Sequence, residues 1–148
     1  MKHLIALSLL VSFFFIGFAQ AEQTGQALKK GQIEALVKGN TAEGEKTRDV
    51  ISSTYEEVTI PFQTYYRDDG VVIQRGAGGG DKHGTTAEGT WWVKKHALCY
   101  QYPHALRERG EICRKVVPMD NGAYELQSGK GETKQIWKRV VPGNPHKL

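Results

Sequence analysis

The chain has 148 residues, 39% of them hydrophobic and 24% charged, with a formal net charge of +4. One domain's length with this much apolar material excludes wholesale disorder and a multi-domain enzyme. Two cysteines, and 17 glycines without a collagen period, exclude a disulfide-dense miniprotein and a fibrous repeat.

In chain order, the first segment reads as an export signal. Lys2 and His3 precede an apolar run from Leu4 to Phe18, and Ala19-Gln20-Ala21 supplies the small-x-small pattern of a signal peptidase site. The run is short for a membrane span, which needs roughly 20 residues. Residues 1–21 are therefore expected to be a cleaved signal peptide, and 22–148 a single β-rich domain of a periplasmic or secreted protein. No cysteine follows the cut, so a lipid anchor is not indicated, and no later stretch is apolar enough to make an integral membrane protein.

Leu28 to Lys38 reads as a short helix. Ile33, Leu36 and Val37 form a one-sided stripe at helical spacing, and Gly39 is a natural stop. The stripe is expected to dock on a sheet. Thr41 to Tyr55 carries no clear period and is left without an element.

From Val58 the period becomes two. Val58, Ile60, Phe62 and Tyr66 alternate with Thr59, Gln63 and Tyr65, with Pro61 favouring an edge or bulge. Arg67-Asp68-Asp69-Gly70 is a hairpin turn into Val71–Arg75. Gly76 to Gly84 reads as a loop. It lacks both the G-x-x-x-x-G-K-[ST] order of a phosphate cradle and the repeat of a calcium-binding nonapeptide. Strands follow over Thr86–Lys94, Ala97–Tyr102, Glu111–Val117, Ala123–Gln127 and Glu132–Val141, and Pro142-Gly143-Asn144-Pro145 ends the pairing. Seven short strands joined by tight turns predict a mainly β domain. Its architecture is an antiparallel meander, forming a bent sheet or small calycin-like barrel with one short N-terminal helix.

Cys99 and Cys113 are expected to form a disulfide. An exported chain meets an oxidising compartment. Folding the two flanking strands as a hairpin about Leu106 also sets Cys99 opposite Cys113 and Tyr100 opposite Ile112. His96, Cys99, His104 and Cys113 alternate without the paired spacing of a structural zinc site, so no metal is expected.

Gly89-Thr90-Trp91-Trp92-Val93 is the most distinctive run. Strand alternation puts Trp91 and Val93 on one face and Trp92 and Lys94 on the other, so one indole belongs to the core and the other is half exposed or covered by the helix. Gly89-Thr90-Trp91 resembles the Gly-x-Trp of lipocalins, which are ligand-binding barrels. In those it opens the first strand, whereas here it sits mid-chain. Tyr65, Tyr66, Tyr100 and Tyr102 add aromatic surface on neighbouring strands.

Catalysis finds little support. Ser52, Ser53 and Ser128 lie outside any G-x-S-x-G, and the thiols are spent in the disulfide. Glu56-Glu57 and Asp68-Asp69 are adjacent pairs, and adjacent strand residues face apart. No catalytic residue and no cofactor is expected.

The charge is uneven. Between Lys94 and Leu148, basic residues outnumber acidic ones 11 to 5. That half can meet an anionic lipid, glycan or acidic protein. Nucleic acid is not an expected partner of an exported chain.

The succession of signal peptide, short helix, Gly39-Asn40-Thr41, Asp69-Gly70, Gly89-Thr90-Trp91, Leu98-Cys99-Tyr100, Cys113, Tyr124 and terminal Pro142-Gly143-Asn144-Pro145 resembles a family of small periplasmic proteobacterial proteins filed as a domain of unknown function. The resemblance implies secretion, paired cysteines and a compact β domain, and no activity or ligand. The Gly-rich insertion and Arg107-Glu108-Arg109 depart from it.

Two functions follow as expectations. The first is a non-catalytic module for a cell-envelope partner, and the second is a calycin-like carrier of a small apolar ligand. The candidate surface for either is Trp91, Trp92, Tyr100, Tyr102, Arg107 and Arg109.

Overall fold

The computed structural model describes residues 25–49, 57–76, 86–103, 110–129 and 133–148. The predicted signal peptide, most of the Gly-rich loop, and Arg107 and Arg109 lie outside the described residues.

One helix, α1 (Lys30–Val37), precedes eight strands: β1 (Asn40–Asp49), β2 (Glu57–Tyr66), β3 (Val71–Arg75), β4 (Thr86–Lys94), β5 (Ala97–Gln101), β6 (Ile112–Pro118), β7 (Tyr124–Gln127) and β8 (Thr133–Pro142). Each strand pairs antiparallel with the next, and β8 pairs with β1, so the sheet closes into a barrel. The meander and the short helix agree with the sequence pattern, and closure leaves no open sheet edge.

The sequence pattern misses β1. Its residues, Asn40 to Asp49, are mostly charged or small, without an apolar alternation. Partners on both sides hold it: ten register pairs with β2 and a ladder to β8. A bulge at Glu43/Gly44 lets β8 cross close to β1. A Cβ on Gly44 would collide with the Ile136 carbonyl oxygen and lie 2.9 Å from the Trp137 Cα. Glycine is the residue that admits this approach.

The helix begins with the Lys29 N–H bonded to the Gln32 side chain at 2.9 Å, one half of a capping box. At its other end the Asn40 side-chain amide donates to the Leu36 carbonyl at 2.8 Å, and the Gly39 N–H bonds to the Tyr66 carbonyl at 2.7 Å. Helix α1 touches β1 on one side of the ring and β4 and β5 on the other, so it spans one end of the barrel. Leu28, Ile33 and Val37 are buried there in one cluster with Tyr66, Trp91, Leu98, Val116 and Trp137. The stripe read from the sequence is this plug.

Cys99 and Cys113 are bonded, in the register that the hairpin argument predicts, with Tyr100 opposite Ile112. A disulfide fits an oxidising compartment. No helix among the described residues is long and apolar enough to cross a membrane.

Candidate functional site

Directly opposed residues of an antiparallel pair share a face. Trp91, Tyr100 and Ile112 are successive partners across β4, β5 and β6, and Val93, Leu98 and Arg114 form the next row. Tyr66 opposes Val72, which opposes Gly89. These rows face the barrel interior, because their members fill the core.

Burial changes along the barrel axis. Near α1 the inward residues Tyr66, Val72, Leu98, Val116, Leu126 and Trp137 are at most 3% exposed. Toward the far end Ile60, Gln74, Ala87, Tyr100, Ile112 and Arg114 share the inward face and are only half-buried. Val58, on the same face of β2, is 41% exposed at that rim. Eight strands leave an interior that side chains can fill or that can hold one small ligand. Here the half under α1 is filled and plugged, and several inward residues of the other half are less completely buried.

The aromatic residues are arranged in depth. Tyr66 meets Trp91 edge to face, with ring centroids 5.7 Å apart, and Tyr66 and Trp137 are 5.8 Å apart. Nearer the far end Tyr100 and Tyr102 meet at 5.8 Å. Gly89 makes room for this pair, since a Cβ there would lie 2.8 Å from Cδ1 of Tyr102. The Gly-x-Trp spacing thus has a local reason: the glycine clears space for a tyrosine and the tryptophan two residues on fills the core.

Burial, reinforced by the neighbouring Tyr100, pushes the Tyr102 hydroxyl well above the ordinary phenol range. Burial does the same to Tyr66, with Tyr102 and Tyr100 adding to it. Both stay protonated donors at any physiological pH. Arg114 Nε donates to the Tyr100 hydroxyl at 3.1 Å. The wholly buried Trp137 indole N–H has no hydrogen-bond partner among the described residues.

The structure divides the candidate residues. Trp91, Tyr100 and Tyr102 converge inside the barrel. Trp92 lies on the outer face, directly opposite Cys99 and half-buried, as the alternation predicts. Sequence reasoning missed Arg114 and Trp137. Parity alone was enough to place Arg114: Cys113 shares the outer face with Cys99 and Trp92, so its neighbour must point inward.

Cys99, Glu111 and Cys113 bring ligand-type atoms within 4.8 Å of one another. Both sulfurs are spent in the disulfide, which removes the thiolates a metal would need. An open groove of about 430 Å³ runs over the outside of β1, β2 and β8. Its charges are mutually paired, Lys138 with Glu45 at 2.8 Å and Arg139 with Glu43 at 2.6 Å.

Comparison with known proteins finds no family model that matches the chain, and no similar curated protein or solved structure.

Proposed function

We propose that this chain is an exported, non-catalytic binding protein that holds a small ligand in the open half of its barrel. The observation that carries the reading is the gradient of burial along one inward face: sealed under α1 and half-exposed around Tyr100, Ile112 and Arg114. An inward polar group supports it further, since a barrel filled for stability alone gains little from an inward arginine. Export to the periplasm or beyond, with cleavage after Ala21, accords with the disulfide.

The envelope-partner reading rested on basic residues of the C-terminal half. Lys94, Lys138 and Arg139 are each paired, with Glu111, Glu45 and Glu43. Such pairs offer little net attraction to an anionic surface, so the carrier reading is the better supported of the two.

The test is native mass spectrometry of the protein taken from the periplasm that produces it, then denaturation without reductant. The carrier reading expects extra mass in the native spectrum that is lost on denaturation. A bare chain that also fails to take up any apolar probe in a Trp-fluorescence titration overturns it.

A further inference from the structure

The disulfide lies on the outer face of the barrel, and its two sulfurs are not equivalent. Cys99 has register partners on both sides, Trp92 on β4 and Cys113 on β6, and is 0% exposed. Cys113 is flanked less fully. Among the described residues the β6–β7 register begins at Lys115↔Gln127, two residues short of it. Cys113 is half-buried, and its Sγ lies 2.9 Å from Oε1 of the exposed Glu111. A bonded sulfur has no proton to donate, so this is a bare contact between a carboxylate and the S–S bond.

Exchange of a disulfide needs a thiolate to reach one of its sulfurs. Burial closes that approach at Cys99, whereas Cys113 can be reached from the flank that Glu111 lines. Burial also disfavours negative charge on a departing Cys99 sulfur. A nucleophile that cannot touch Cys99 has one point of entry, however, so access decides.

We infer that Cys113 is the site at which a small-molecule thiol modifies this protein, with Glu111 as a guard that slows the attack. The incoming thiolate sulfur bonds to Cys113 Sγ as the bond to Cys99 Sγ breaks. The electron pair of that bond leaves on Cys99 Sγ, which takes a proton from water. The Ala97 carbonyl, 3.9 Å from that sulfur, can accept the new S–H. The product is a mixed disulfide on Cys113 and a free thiol on Cys99, with the hairpin unlocked. The attacking sulfur is an anion, so the Glu111 carboxylate repels it at the point of contact. Lys94, 3.2 Å from the same carboxylate oxygen, offsets part of that charge. The disulfide and the carrier surface lie on opposite faces of the wall, and neither reading depends on the other.

The experiment treats the full oxidised protein with 2-mercaptoethanol, without denaturant, and quenches samples in acid. Peptide mass spectrometry then locates the adduct. The expected product carries mercaptoethanol on Cys113 and a free thiol on Cys99. An adduct on Cys99, or on both alike, overturns the inference. So does a protein that exchanges only where urea begins to unfold it, since the attack is then on the unfolded chain. Glu111→Gln should speed the reaction on the order of fivefold, the worth in water of one like charge about 4 Å away. Added salt should narrow the gap between variant and wild type. An unchanged rate in a variant with an unchanged urea midpoint removes the guard from Glu111. The adduct's position is read on wild type, so the site is tested whether or not the variant folds.

Discussion

The indole N–H of Trp91 donates to the Arg67 carbonyl at 2.9 Å, across 24 residues of sequence. The Trp91 backbone N–H also donates to the Gly70 carbonyl at 2.8 Å. One residue of β4 therefore clamps both ends of the β2–β3 turn while its ring packs on Tyr66. Trp91 is part of what holds the sealed half closed, and Tyr100 and Tyr102 lie farther from α1 and are only half-buried.

Trp91→Phe keeps an aromatic ring but leaves the Arg67 carbonyl without that donor. Stranding a part-buried acceptor costs about 1–3 kcal/mol, to which lost contact area adds. Urea unfolding should show a lower midpoint with an unchanged slope, and a variant as stable as wild type would show the clamp to be idle.

Gly44→Ala should be severe. The added methyl has backbone on its far side, so β8 must move away from β1 and the barrel seam must open. A loss of about 3 kcal/mol or more is expected, or failure to accumulate as folded protein. Gly129→Ala is the control, because nothing lies within 4 Å of a Cβ there. Circular dichroism melts of the two variants make the comparison.

Replacing Cys99 and Cys113 together by serine opens a loop with a sequence separation of 14. The expected cost is about 2–5 kcal/mol, measured by urea unfolding against the oxidised parent. Reduced wild type should match the double variant, and a stability equal to that of the oxidised parent would show that the ladder alone sets this hairpin.

Glu43 makes stability depend on acid. Burial pushes its carboxyl up, but hydrogen bonds from Arg139 and His146, with their charges, outweigh burial and hold it below the ordinary value of 4.5. A carboxylate whose folded-state value is depressed contributes stability that is present above its unfolded value and lost as pH falls through the folded one. The contribution should therefore be intact at neutral pH and fade below 4.5. His146 Nε2 lies 2.6 Å from Glu43 Oε1, so the same titration loosens the C-terminal tail. Melting temperatures of wild type and Glu43→Gln, measured from pH 7 to about 3, should differ most at the upper end and converge at the lower. A constant gap would contradict the pairing.

Much of this protein is settled by short stretches of chain. Asp69-Gly70 makes a hairpin because local backbone preference does not wait for the rest of the fold. The Cys99–Cys113 register follows from counting outward from one turn, and the helix stripe of Ile33 and Val37 from a 3.6-residue period. In each case the deciding interactions lie within a few residues, or within one hairpin, and the pattern is visible in a line of text. Strand β1 is the opposite case. Its own residues have no strand alternation, and it exists because β2 and β8 present two open ladders that only it can join. Arg139 reaches Glu43 across 96 positions, and His146 reaches it across 103. Closure of the sheet then decides what parity alone leaves open: which face becomes an interior, and that one end is stoppered by α1. Those outcomes depend on where eight strands meet in space, and no window of sequence contains that information.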